Sequence, residues 1–77
     1  MVKKKISLNS IDKVNRFVKI AERYECDIDL ASERYIVDGR SIMGIFSLNL
    51  SRPIDMTIHA DEELASNILE NMSEFFA

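Results

Sequence analysis

Ser41 is the residue with the most chemistry written around it. It follows Arg40 and opens the run Ile42-Met43-Gly44-Ile45-Phe46-Ser47-Leu48. A serine ahead of a short apolar segment reads as a helix N-cap, whose side-chain oxygen accepts a backbone N–H of the first turn, worth about 1 kcal/mol. No Glu or Gln follows three residues later, so a capping box is absent. The same hydroxyl is a candidate phosphate acceptor. A phosphoryl group there adds up to about two negative charges beside a helix N-terminus, where they are tolerated. Capping and phosphorylation are compatible roles. Ile42, Met43 and Phe46 occupy positions i, i+1 and i+4 of the short helix, while Ile45 and Leu48 point elsewhere and can fill a core. A helix of about two turns cannot bury every side, and exposed apolar clusters mark interfaces. Burial of all five side chains is the alternative.

The remaining reactive side chains offer less. His59, the only histidine, falls on the polar face of a strand and has no metal-ligand spacing to Cys26 or to a second histidine. Cys26 starts a strand in apolar phase, as a small buried residue would. A reactive thiol would need a cationic neighbourhood that Arg23 alone does not make. No phosphate-cradling glycine loop, nucleophile–base pairing or paired-carboxylate signature is present. The expectation is a chain that is not an enzyme, with no metal and no cofactor.

Composition narrows the setting. A chain of 77 residues makes one domain, taken here as residues 1–77, and its 47% hydrophobic content supports a core without staples. A single cysteine excludes an internal disulfide and fits a reducing cytoplasm. The net charge of −3 argues against direct nucleic-acid binding. The one basic cluster, Lys3-Lys4-Lys5, reads as a solvated start to an edge strand. The apolar run beyond it, Ile6-Ser7-Leu8, is too short for a signal peptide, and no apolar stretch approaches the ~20 residues of a membrane span.

Positioning these residues falls to seven elements. Val2 to Leu8 alternates imperfectly, with Val2, Ile6 and Leu8 on one side. Asn9 or Ser10 can cap a helix carrying Ile11, Val14, Phe17, Val18, Ala21 and Tyr24 at helical spacing, roughly four turns at 3.6 residues each. Period two returns with Cys26, Ile28 and Leu30 opposed to Asp27 and Asp29. A turn near Ser32-Glu33 leads to a strand at Tyr35-Ile36-Val37, closed by Asp38-Gly39. Ser41 caps a brief helix through about Leu48, and Asn49 to Pro53 is a loop. Ile54, Met56 and Ile58 alternate with Asp55, Thr57 and His59. Asp61 starts the last helix, with Glu62 and Glu63 at the positive end of its dipole. Its apolar stripe is Leu64, Ala65, Ile68, Leu69, Met72, Phe75 and Phe76. One apolar face per strand and one stripe per helix predict an α+β fold: a four-stranded antiparallel sheet with three helices on one face, in the order βαββαβα. Lys3, Lys5, Asp27, Asp29, Asp55, Thr57 and His59 would share the open face.

That order, with the residues it carries, resembles HPr, the small phosphocarrier family of the bacterial sugar phosphotransferase system. Asp27-Ile28-Asp29-Leu30 is similar to the family's second strand, where Asp-Ile-Asn-Leu is common. Ser41-Ile42-Met43-Gly44 matches its Ser-Ile-Met-Gly, and Ser47-Leu48 continues it. Asp55-Met56-Thr57-Ile58 resembles its last strand. The resemblance implies an HPr-like open-faced sandwich. Counting back from Asp27 without gaps, the family's Gly-Ile-His-Ala-Arg-Pro-Ala motif falls on Leu8-Asn9-Ser10-Ile11-Asp12-Lys13-Val14. Ser10 then stands at the phosphoacceptor histidine position, Asp12 at the arginine and Lys13 at the proline. A serine phosphoester holds its phosphate far more firmly than phosphohistidine, a hydroxyl needs a base to attack, and Asp12 repels phosphoryl charge where arginine would stabilise it.

The expectation is therefore a regulatory or adaptor protein that docks a protein partner through Arg40, Ile42, Met43 and Phe46, switched by phosphorylation of Ser41. The partner classes implied by the resemblance are a transcription regulator, a kinase or a phosphotransferase-system protein. The alternative is a phosphocarrier of the phosphoenolpyruvate-dependent system with an unusual acceptor, for which Ser10 is the positional candidate. A third class is a plain interaction module without either phosphorylation.

Overall fold

The computed structural model describes all 77 residues, 1–77. Strand β1 (Val2–Ile6) is followed by helix α1 (Ile11–Ala21), strands β2 (Asp27–Ser32) and β3 (Tyr35–Asp38), helix α2 (Ile42–Phe46), strand β4 (Ile54–His59), helix α3 (Glu62–Asn71) and a single 3-10 turn at Ser73–Phe75. The strands form one antiparallel sheet in the order β1-β4-β2-β3. The fold is the α+β arrangement expected from the patterning.

Period-two patterning sets the register. Ile6 lies opposite Ile54, Met56 opposite Leu30, and Ile58 opposite both Val2 and Ile28. These side chains face the helix layer, where Val14, Phe17, Val18, Ala21, Ala65, Ile68, Met72 and Phe75 complete the core. Phe17 and Phe75 meet edge to face with ring centroids 5.6 Å apart, a geometry favoured by the ring quadrupoles. No polar or charged side chain is buried. The other face is wet and charged, with Lys5 paired to Asp55 at 3.0 Å and His59 Nε2 2.7 Å from Asp29 Oδ2.

Three helix ends differ from the sequence reading. Helix α1 spans eleven residues and ends at Ala21, one turn early. Arg23 and Tyr24 donate their N–H groups to Ile20 and Ala21 three residues back, which tightens the chain out of the α-helix. Tyr24 still packs against the core, and its hydroxyl accepts from Asn71 Nδ2 at 2.6 Å. Helix α2 stops at Phe46, with Ser47 as its C-cap. The last apolar stripe leaves helical geometry after Asn71: Phe75 reaches the core from the 3-10 turn, and Phe76 bridges Ile6 as extended chain.

Lys4 is the reason β1 alternates imperfectly. It lies opposite Met56, in the core-facing phase, yet it is exposed. Its ammonium sits 4.5 Å from the centre of the Phe76 ring, a cation–π contact that keeps the charge in water while the stem covers apolar surface.

Candidate functional site

The turn between β3 and α2 presents Ser41. Asp38 Oδ1 accepts the backbone N–H of Arg40 at 2.8 Å, and the N–H of Ser41 donates to Asp38 O at 3.0 Å. Gly39 is buried and donates to Ile28 O at 2.7 Å. A Cβ at this position would stand 2.9 Å from that carbonyl oxygen, so the close approach of the turn to β2 requires glycine. The amide of Arg40, and secondarily its guanidinium, hold the Asp38 carboxyl below its ordinary value against a smaller opposing effect of burial.

Ser41 then takes extended dihedrals and its Oγ accepts from Gly44 N at 3.1 Å. The hydroxyl is an N-cap, exposed, with its own proton free to turn outward. Neither Ser41 nor Ser10 has a carboxylate or imidazole within hydrogen-bonding distance that would serve as a base. Neither hydroxyl is therefore activated for attack by a neighbouring side chain.

On α2, Ile45 is fully buried and Leu48 follows it into the core, whereas Ile42, Met43 and Phe46 are exposed, Met43 by 86%. Of the two burial patterns open to the sequence, this is the split one. Arg40, just before the helix, is half-buried. Its guanidinium reaches Asp27 at 3.3 Å and Asp38 at 3.4 Å, toward the open face of the sheet.

Ser10 is the N-cap of α1 and its Oγ accepts from Lys13 N at 3.1 Å. It opens onto a groove of about 360 Å³ lined by Leu8, Asn9, Ile11, Phe46, Leu50 and Ser51. The start of α1 and the end of α2 thus share one concavity, and Phe46 belongs both to it and to the apolar patch. Ile11, assigned to the buried stripe on periodicity, is 68% exposed at its rim. Of the groove's lining, the sequence reading singled out only Ser10 and Phe46 and missed Leu8, Asn9, Ile11, Leu50 and Ser51. Helical spacing alone cannot tell a first-turn residue over the core from one just beyond its edge. The charge of Asp12 is paired, because Arg16 one turn on bonds both it and Glu74. His59 stands on the opposite face of the sheet, bound to Asp29. No group of three or more His, Cys, Asp or Glu is gathered closely enough to hold a metal ion. No helix is long and apolar enough to cross a membrane.

Residues 12–77 match the model of a protein family described as the PTS HPr component phosphorylation site. Solved structures agree on the fold. HPr-C-His from Thermoanaerobacter tengcongensis superposes with a TM-score of 0.73 at 22% identity, covering 95% of this chain and 85% of that one. The phosphocarrier protein HPr of Bacillus anthracis gives 0.71 at 25% identity, covering 99% and 94%. The Bacillus subtilis catabolite repression protein Crh gives 0.65 at 22% identity, covering 100% and 92%. Among curated proteins, none matches the sequence.

Proposed function

Since the chain belongs to the HPr family, we propose that it serves as a non-catalytic regulatory or adaptor protein of a bacterial cytoplasm, docking a protein partner on the α2 surface. The observation that carries this reading is the exposure of Met43, with Ile42 and Phe46 beside it, directly after a serine whose hydroxyl faces solvent. Three large apolar side chains left in water on one short helix favour association, because covering them recovers hydrophobic free energy. A phosphate on Ser41 would remain at the helix N-terminus and add negative charge at the border of the patch. It would alter which partner fits without melting the fold. In this reading the histidine of the family motif is replaced by Ser10, and phosphoryl relay is lost. The partner is a transcription regulator, a kinase or a component of the phosphotransferase system.

The experiment is intact-protein mass after incubation with ATP and a bacterial HPr kinase, beside a Ser41→Ala control. One added phosphate in the parent and none in the control supports the switch. No added mass, with an authentic HPr labelled in parallel, overturns phosphorylation by that kinase class and leaves Ser41 as a cap on a binding domain.

A second reading, a phosphocarrier with an unusual acceptor, is favoured by one observation: Ser10 opens onto the groove shared with Phe46 at the N-terminus of α1. It requires label from phosphoenolpyruvate through Enzyme I to reach the chain and then leave it for an acceptor protein. Label that never arrives, or arrives and stays, sinks this reading.

A further inference from the structure

The two edges of the sheet are treated differently. Along β1 the chain closes its own edge. Ser7 N donates to Phe75 O at 2.7 Å, Ala77 N donates to Lys5 O at 3.2 Å, Phe76 bridges Ile6, and Lys4 lies over the Phe76 ring. Along β3 no segment does the same. Gly39 donates inward to Ile28 O. By the alternation of an antiparallel ladder, Tyr35 and Val37 then also bond inward, while the N–H and C=O groups of Ile36 point away from the sheet. The Ile36 side chain is 72% exposed and that of Tyr35 65%. Exposed edges are ordinarily blunted by lysine, proline or a covering segment. Tyr35-Ile36-Val37-Asp38 has none of these and is limited only by its four-residue length.

Charge on this edge is self-complementary. Arg34 makes no ion pair within the chain, whereas Arg16 and Arg40 each pair with two carboxylates. It lies two residues before Ile36, and Asp38 lies two residues after, with Arg40 engaging only its Oδ1 and leaving Oδ2 without a partner in the chain. Two copies of the strand placed antiparallel with Ile36 facing Ile36 bring Arg34 of each opposite Asp38 of the other, and Tyr35 opposite Val37. Opposite charges directly across a ladder are stabilising, whereas like charges there are not.

We propose that β3 pairs with β3 of a second copy of this chain across a two-fold axis at Ile36, joining two four-stranded sheets into one. The outward amide and carbonyl of Ile36 exchange hydrogen bonds with their equivalents. The two isoleucine side chains cover one another on the open face, flanked by the Arg34–Asp38 pairs. The interface is isologous and closed, so it yields a dimer and not a filament. A strand this short buries little area, which makes the dimer weak.

Sedimentation of the full chain from about 10 μM to about 1 mM tests this, a high range chosen because interfaces under about 1,200 Å² are weak. The expected result is a rise in mass from monomer toward dimer. Ile36→Lys and Arg34→Glu should each remain monomeric at every concentration, with thermal midpoints near the parent's at low concentration to show that they fold. Mixing Arg34→Glu with Asp38→Lys should restore association, because both cross-strand pairs become opposite again. A parent that stays monomeric throughout overturns the proposal. So does a dimer that survives Ile36→Lys, which would place the contact elsewhere, for example in exchange of a terminal strand.

Discussion

Ser41 and Gly44 form a single unit: the serine Oγ accepts the glycine N–H at 3.1 Å, and a Cβ on Gly44 would stand 3.1 Å from that same oxygen and 3.1 Å from Cβ of Val37. The small residue at position 44 lets the capped turn lie against β3. A five-residue helix has no stability of its own, so α2 depends on this cap and on the burial of Ile45.

Removing the cap should therefore be measurable without any phosphorylation. Ser41→Ala should lower stability by about 1 kcal/mol, or about 4–8 °C in thermal midpoint for a domain of this size. Ser41→Asp keeps a side-chain acceptor and should melt close to the parent. Circular dichroism melts of the three proteins check this. An Asp variant as unstable as the Ala variant would show that the hydroxyl does something other than accept from Gly44.

The two faces of α2 should separate binding from stability. Met43→Asp sits in water and should change stability by less than about 0.5 kcal/mol, while weakening partner binding at least about tenfold through an uncompensated charge in an apolar contact. Ile45→Ala empties a fully buried site and should cost about 2–5 kcal/mol. Urea unfolding and titration calorimetry with the partner measure the two effects.

The β2–β3 turn carries a correctable strain. Glu33 is the one non-glycine residue with positive φ, at 56°, in the left-handed region that disfavours a side chain. Glu33→Gly or Glu33→Asn should raise stability by about 0.5–1 kcal/mol, seen as a higher urea midpoint with an unchanged slope.

Gly39→Ala should act in the opposite sense. Its Cβ would meet the Ile28 carbonyl oxygen, which is backbone and cannot rotate away. Overpacking of this kind costs about 1–3 kcal/mol. Equilibrium unfolding should show the loss, and an alanine variant as stable as the parent would mean the turn can lift off β2 without penalty.

Asp38 should make stability depend on acid. Its carboxyl is lowered in the folded state by the amide of Arg40, so folding favours its ionised form. The stability it supplies is complete above its ordinary value of 3.8 and is lost as pH falls through the lowered folded-state value. Asp38→Asn should show a smaller drop in unfolding midpoint across that acidic window than the parent does, and the two curves should run parallel near neutrality.

Much of this molecule was legible in local pattern. Alternation at Ile54–His59 and at Asp27–Leu30 marks strands with one wet face, and the 3.6-residue recurrence of Val14, Phe17, Val18 and Ala21 marks a helix laid on them. The cap at Ser41 is equally local, because an N-cap bond spans three residues. These features depend on neighbours a few positions apart, and the chain encodes them directly.

The pattern left open whatever depends on residues far apart in sequence. Ile11 has the right helical phase to be buried but is exposed at the groove. Lys4 occupies a core-facing position and stays in water only because the C-terminal residues return to lay Phe76 under its charge. Arg40 bonds Asp27, thirteen residues earlier, a contact that no local pattern announces. Ser10 and Phe46 line one groove although they stand thirty-six positions apart. The elements and most of their buried faces can be read along the chain, because hydrophobic periodicity acts within each element. Which residues line one groove and which sheet edge stays open follow from how the separate elements close around a common core.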